Sequence, residues 1–225
     1  MSATLNAKPR RKPDTLADVL RDLGDIPPDR VLWDPYPGTA TEGDLLRCLD
    51  NEPKRMVELV EGVLVEKPMG AREGYMAQEL SALLRAFVLQ HNLGFVGGDG
   101  IPMQVGPTQT RVPDASFTSW ERQRTLGKKF RAVFPFAPDL AVEVLSPTNT
   151  KGEMARKIRE YFQGGSIQVW VIDPEPQTVT VYTSPKKSKL LTIDDTLDGG
   201  KVLPGFSIKL FDFFNSPQVT LIPPN

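Results

Sequence analysis

The chain has 225 residues, 40% of them hydrophobic and 24% charged, with a formal net charge of −1. That is the balance of an ordinary globular chain long enough for one domain with a sizeable core, and it supplies no global field to draw the protein onto nucleic acid or an anionic membrane, so any basic contact surface must be local. A single cysteine (Cys48) and a single histidine (His91) exclude an internal disulfide, a thiolate zinc site and a histidine-rich metal centre, leaving carboxylates and hard ions such as magnesium or manganese if a metal is used.

Residues 1–13 form a polar, basic tail (Lys8, Arg10, Arg11, Lys12) without the apolar segment of a secretory signal. No apolar run approaches the roughly 18 residues of a membrane span. A cytoplasmic location, with no membrane partner, is the expectation. "PDTLADVLRDLG" predicts a short helix, with Asp14 or Thr15 as N-cap, a stripe of Leu16, Val19, Leu20 and Leu23, and Gly24 as its stop. Four prolines in "DIPPDRVLWDPYPGTA" mark an irregular connector, so residues 1–38 read as tail, short helix and connector, and 39–225 as the main domain.

"TEGDLLRCLD" predicts a second short helix, and "MVELVEGVLVEK" a hairpin turning at Glu61-Gly62. A long helix follows within 72–91, ending near Gly94, with Tyr75, Leu80, Leu83, Leu84, Phe87 and Val88 as its buried side. Gly97-Gly98-Asp99-Gly100 lacks the Lys-Ser/Thr of a phosphate-binding loop and reads as a turn. "GIPMQVGPTQTRVPDASFTSW" predicts a second hairpin with strands near 101–105 and 111–118. Strand 140–145, the helix "GEMARKIREYFQGG" and strand "IQVWVID" then form a strand–helix–strand unit long enough for a crossover between parallel neighbours. "TVTVYT" and "LPGFSIKLFDFF" close the chain. The layout is α/β, a mixed central sheet flanked by helices.

"PDLAVEVLSP" poses the chemical question, because Glu143 sits in the middle of an otherwise apolar strand. An ionised group there is costly unless something compensates it. A metal ion, a basic partner or a wet cleft would each do so. Asp114, after Pro113 in "RVPDASF", is the second acidic group at a strand edge, and Glu58 in "MVELVEG" the third. Two carboxylates on adjacent strands can share one divalent ion, with a backbone carbonyl such as that of Val144 as a further oxygen ligand. Lys157, in the helix after the Glu143 strand, would stabilise developing negative charge or hold a water. Each residue also has a structural reading. Asp after Pro is common in turns, Glu143 would be satisfied by a structural arginine, and Lys157 is spaced to pair with Glu153 at i, i+4 on a solvated face.

The ordered set "MVELVEGVLVEKP", "RVPDASF", "APDLAVEVLSPTNT", "ARKIREYFQGG", "VWVIDPEPQTVTVY" and "LPGFSIKLFDFF", spanning about residues 39–214, resembles the Uma-type family of restriction-endonuclease-like proteins, within the PD-(D/E)xK nuclease superfamily. The resemblance implies a restriction-endonuclease-like mixed sheet and a magnesium-dependent nuclease site, with Mn2+ as a substitute ion. It places Asp114 and Glu143 as metal ligands, with Glu58 and Lys157 completing the catalytic set. The superfamily's third motif carries a lysine two places after the acidic residue, where this chain has Leu145. The lysine has its counterpart in the next helix, as Lys157, four residues before Tyr161. DNA is the implied substrate, and a homodimer is the arrangement that brings two such sites to both strands. The alternative is a catalytically silent module of the same fold that binds nucleic acid or a protein partner.

Overall fold

The computed structural model describes residues 13, 15–51, 55–68, 70–98, 100–127 and 131–220. Residues 1–12 of the basic tail, Asp14 and Asp99 lie outside the described residues. In chain order the elements begin with α1 (Leu16–Asp22), α2 (Glu42–Asp50) and the hairpin β1 (Val57–Val60) and β2 (Val63–Glu66), followed by α3 (Ala71–Gln90). Next come β3 (Gly94–Gly98), β4 (Met103–Gly106), β5 (Gln109–Arg111), β6 (Ala115–Ser119), α4 (Trp120–Arg124) and β7 (Leu140–Val144). The chain continues through α5 (Lys151–Gln163), β8 (Gln168–Asp173), β9 (Thr178–Ser184), β10 (Lys187–Leu191), β11 (Thr196–Asp198), β12 (Ser207–Lys209), α6 (Leu210–Phe214) and α7 (Pro217–Thr220).

A six-stranded sheet in the order β10-β9-β8-β7-β6-β3 forms the centre, with β7 and β8 parallel and the other pairs antiparallel. A four-stranded antiparallel sheet, β2-β1-β5-β4, lies apart from it in hydrogen bonding. The apolar continuity of β7 and β8 follows from burial on both faces. Leu140, Val142, Val144, Trp170 and Ile172 pack with Met76, Leu80, Leu84 and Val88 of α3. Ala141, Val169 and Val171 pack with Met154, Ile158 and Tyr161 of α5. Because side chains alternate along a strand, Glu143 shares the face of Ala141 and points at α5.

The hairpin at Glu61-Gly62 forms as the sequence implies, both residues taking positive φ (51° and 79°) as a tight primed turn requires. Three expectations change. Tyr75 is 41% exposed, because the buried stripe of α3 runs through Met76, Leu80, Leu84 and Val88, one position away. Gly97 and Gly98 are not a turn: they end β3, opposite Ser116 and Ala115 of β6, and a Cβ on Gly97 would lie 2.7 Å from the Ser116 hydroxyl. The second hairpin is the tight pair β4–β5, and the run 111–118 divides between two sheets. Pro113 has no N–H to continue a ladder, so Val112–Asp114 carries the chain from one sheet to the other.

The segment before α2 is packed onto this body. Leu23, Ile26 and Val31 join Val60, Val63 and Val65 in one apolar cluster. Gly24 (φ 95°) lies so close to the start of α5 that a Cβ there would fall 2.2 Å from the Glu153 nitrogen.

Candidate active site

The crossing at Val112–Asp114 brings the two sheets and α5 to one point. Asp114 donates its backbone N–H to the Val142 carbonyl (3.0 Å), which seats it beside β7. Its Oδ2 then accepts the Val144 N–H at 2.6 Å, so the carboxylate caps the strand that carries Glu143. From α5, the Lys157 ammonium donates to Glu143 Oε2 at 3.0 Å and lies 3.1 Å from Glu58 Oε1. Tyr161, one turn on, donates its hydroxyl to Glu143 Oε1 at 2.5 Å. Glu58 on β1 also accepts the Val112 N–H (3.1 Å) and the Arg111 guanidinium (2.7 Å). All four residues singled out from sequence are therefore gathered in one place. They are nearly sealed, Glu58 and Lys157 at 1% exposure, Glu143 at 3% and Asp114 at 7%.

The i, i+4 pairing of Lys157 with Glu153 does not form. Glu153 is taken by Arg30 from the N-terminal connector, at 2.6 Å. Helix α5 turns an inward polar stripe, Glu153, Arg156, Lys157, Glu160 and Tyr161, onto the sheets. These positions recur with the three- and four-residue spacing that puts residues on one helix face.

Burial works against the charged forms of Glu58, Glu143 and Lys157, and mutual attraction outweighs it for Glu58 and Lys157 but not for Glu143. Burial would raise the Glu58 carboxyl, but Lys157, Arg111 and Lys67 together bring it down to about 2. Burial raises Glu143, and the neighbouring Asp114 and Glu58 carboxylates add to that, so it stays above its ordinary value despite Lys157 and Lys67. For Lys157, burial pulls the ammonium down, but Glu143 and Glu58 more than offset it, leaving a firmly held cation.

Sequence reasoning missed four other members. Arg111 bridges Glu58 to Glu160 (2.7 and 2.6 Å), and Arg156 pairs with Glu160 at 2.7 Å. Lys67, just past β2, places its ammonium 2.6 Å from Asp114 Oδ1 and 2.8 Å from the Val112 carbonyl. The α5 members could have been found from their shared helix face with Lys157. Lys67 and Arg111 stand at strand ends, where a charge ordinarily reads as solvated.

Among the described residues no group of three or more His, Cys, Asp or Glu side chains is arranged to hold a metal ion. The oxygens of Asp114 and Glu143 nevertheless have the right chemistry for magnesium, which commonly takes only one or two carboxylates and completes its shell with water and substrate oxygens.

A family model described as "Putative restriction endonuclease", Uma2, matches residues 44–211. The chain belongs to the Uma2 family. A crystal structure titled as that of a putative nuclease belonging to DUF820, from Anabaena variabilis, is similar with a TM-score of 0.66 and 22% identity, covering 76% of this chain and 96% of that one. No curated protein matches. The Uma2 fold here is thus nuclease-like, a mixed sheet flanked by helices. Among the described residues no helix is long and apolar enough to cross a membrane.

Proposed function

We propose that this Uma2 chain is a divalent-metal-dependent endonuclease that hydrolyses phosphodiester bonds of DNA on the PD-(D/E)xK plan. The observation that carries the reading is the convergence of Asp114, Glu143, Glu58 and Lys157, from two sheets and a helix, within direct ion-pair reach of one another or of adjoining residues. Asp114 and Glu143 would hold Mg2+, or Mn2+ in its place. When bound, such an ion lowers the pKa of a water and neutralises charge on the phosphoryl oxygens.

The chain's own groups have distinct tasks in this proposal. Lys157, kept cationic by its two carboxylates, is an electrostatic stabiliser and hydrogen-bond donor and is unsuited to be a base. Glu58 positions that ammonium together with Glu143. Tyr161 fixes the Glu143 carboxylate in orientation by its short hydroxyl contact. Two copies acting as a homodimer would address both strands of a duplex.

Glu143→Gln tests the assignment. It keeps the side-chain shape and should abolish magnesium-dependent cleavage of plasmid DNA while circular dichroism shows the fold retained. Unchanged cleavage would remove Glu143 from the mechanism. One observation favours the second reading, a silent nuclease-fold module: both oxygens of Asp114, Glu143 and Glu58 already have protein donors. Calorimetric titration with Mg2+ separates the two, since a silent module of this kind has no use for the ion.

A further inference from the structure

The nuclease plan gives Lys67 no task, yet its ammonium lies 2.6 Å from Asp114 Oδ1. It also donates to the Val112 carbonyl at 2.8 Å, likewise a hard oxygen. A carboxylate and a main-chain carbonyl are the donors that a magnesium ion takes. Four buried carboxylates, Glu58, Asp114, Glu143 and Glu160, face four cations, Lys67, Lys157, Arg111 and Arg156, and the partly exposed Glu61 adds a fifth carboxylate on Arg156 at 3.2 Å. A doubly charged ion entering this buried site leaves excess positive charge in a medium that screens it poorly, and the departure of one cation reduces that excess by one charge.

Lys67 is the member built to depart. Lys157 and Arg156 are carried inside α5, and Arg111 on β5, whereas Lys67 sits on the irregular connection between β2 and α3. A lysine ammonium on its four-carbon stem can swing away without moving a strand or helix. We infer that Lys67 is a built-in counter-cation: its ammonium holds the Asp114 carboxylate in the metal-free protein, and a divalent ion binds by displacing it. The inference rests on the metal-dependent reading above and adds to it a residue that sets how tightly the ion is held.

The experiment is Mn2+ binding to the full chain, read by electron paramagnetic resonance of the free ion, for the wild type and Lys67→Met. Removing the competing charge should tighten binding about tenfold or more, equivalent to about 1.4 kcal/mol. Without metal, Lys67→Met should melt below the wild type, because Asp114 loses its partner, and Mn2+ should restore the midpoint. Equal or weaker Mn2+ binding by Lys67→Met overturns the displacement and leaves the metal site standing. Absence of binding to both proteins takes down the metal reading and this inference with it. If Lys67→Met does not fold, the wild type carries the test through acetylation by an N-hydroxysuccinimide ester, mapped by peptide mass spectrometry. Saturating Mg2+ should raise labelling of Lys67 several-fold relative to the exposed Lys186. Labelling that does not change overturns the inference.

Discussion

Arg111→Met tests whether the buried charge network is a working part of the fold. The guanidinium holds Glu58 at 2.7 Å and Glu160 at 2.6 Å, and its side chain is only 3% exposed. Methionine fills much of the same space without charge, leaving Glu160 to Arg156 and Glu58 to Lys157 and the Val112 N–H. Removing one partner from a buried pair costs about 3–5 kcal/mol, because the remaining charge stays desolvated. For a chain of this size that is a fall in melting midpoint of roughly 6–20 °C.

The loss has a predictable pH dependence. Folding depresses the Glu58 carboxyl from 4.5 to about 2, against its burial, through Lys157, Arg111 and Lys67. A depressed carboxylate stabilises the fold above its unfolded pKa, and that contribution disappears as pH falls through the folded value. The gap between wild type and variant should therefore be full at pH 7 and should narrow from about pH 4.5 downward toward 2. Urea unfolding followed by fluorescence of the buried Trp170 measures it. Adding Glu58→Gln should recover part of the loss, as coupled neighbours do. A cost below about 1 kcal/mol, typical of an exposed pair, or a gap that persists unchanged in acid, would refute the reasoning.

Tyr161→Phe removes the 2.5 Å donor to Glu143 and should cost about 1.5–3 kcal/mol in urea unfolding; if the proposed reaction holds, kcat should fall more than KM rises. Glu153→Gln removes the charge, and one of the two acceptors, from the Arg30 pair that ties the N-terminal connector to α5. Burial alone would raise the Glu153 carboxyl, but the Arg30 hydrogen bond and the nearby Lys157 charge hold it below its ordinary value. Its stabilisation is thus present above the unfolded value and lost as pH falls. Thermal melts should show the variant weaker at pH 7 and converging with the wild type in acid.

Glu143 was legible in the sequence because one carboxylate in a strand buried on both faces contradicts its neighbours, and the contradiction itself marks a site. Asp114 stood out as an acidic group near a strand start, but its place after Pro113 left a turn reading open, and only the structure shows that one ladder ends and another begins there. Lys157 was open on spacing alone, since Glu153 offered it a local partner. The tertiary structure decided between them by giving Glu153 to Arg30 and turning Lys157 inward. Lys67 and Arg111 were illegible for a different reason. A cation at a strand end is ordinarily solvated, and nothing local says that other elements close over it.

Local sequence therefore determined the Glu61-Gly62 turn, the burial of β7 and β8 and most of the inward stripe of α3, because those follow from backbone sterics and from apolar periodicity within a few residues. Which charge meets which was decided only by the packing of the β1–β5 sheet against α5. Electrostatic partners lie far apart in the chain, and their energy depends on distance and dielectric in three dimensions.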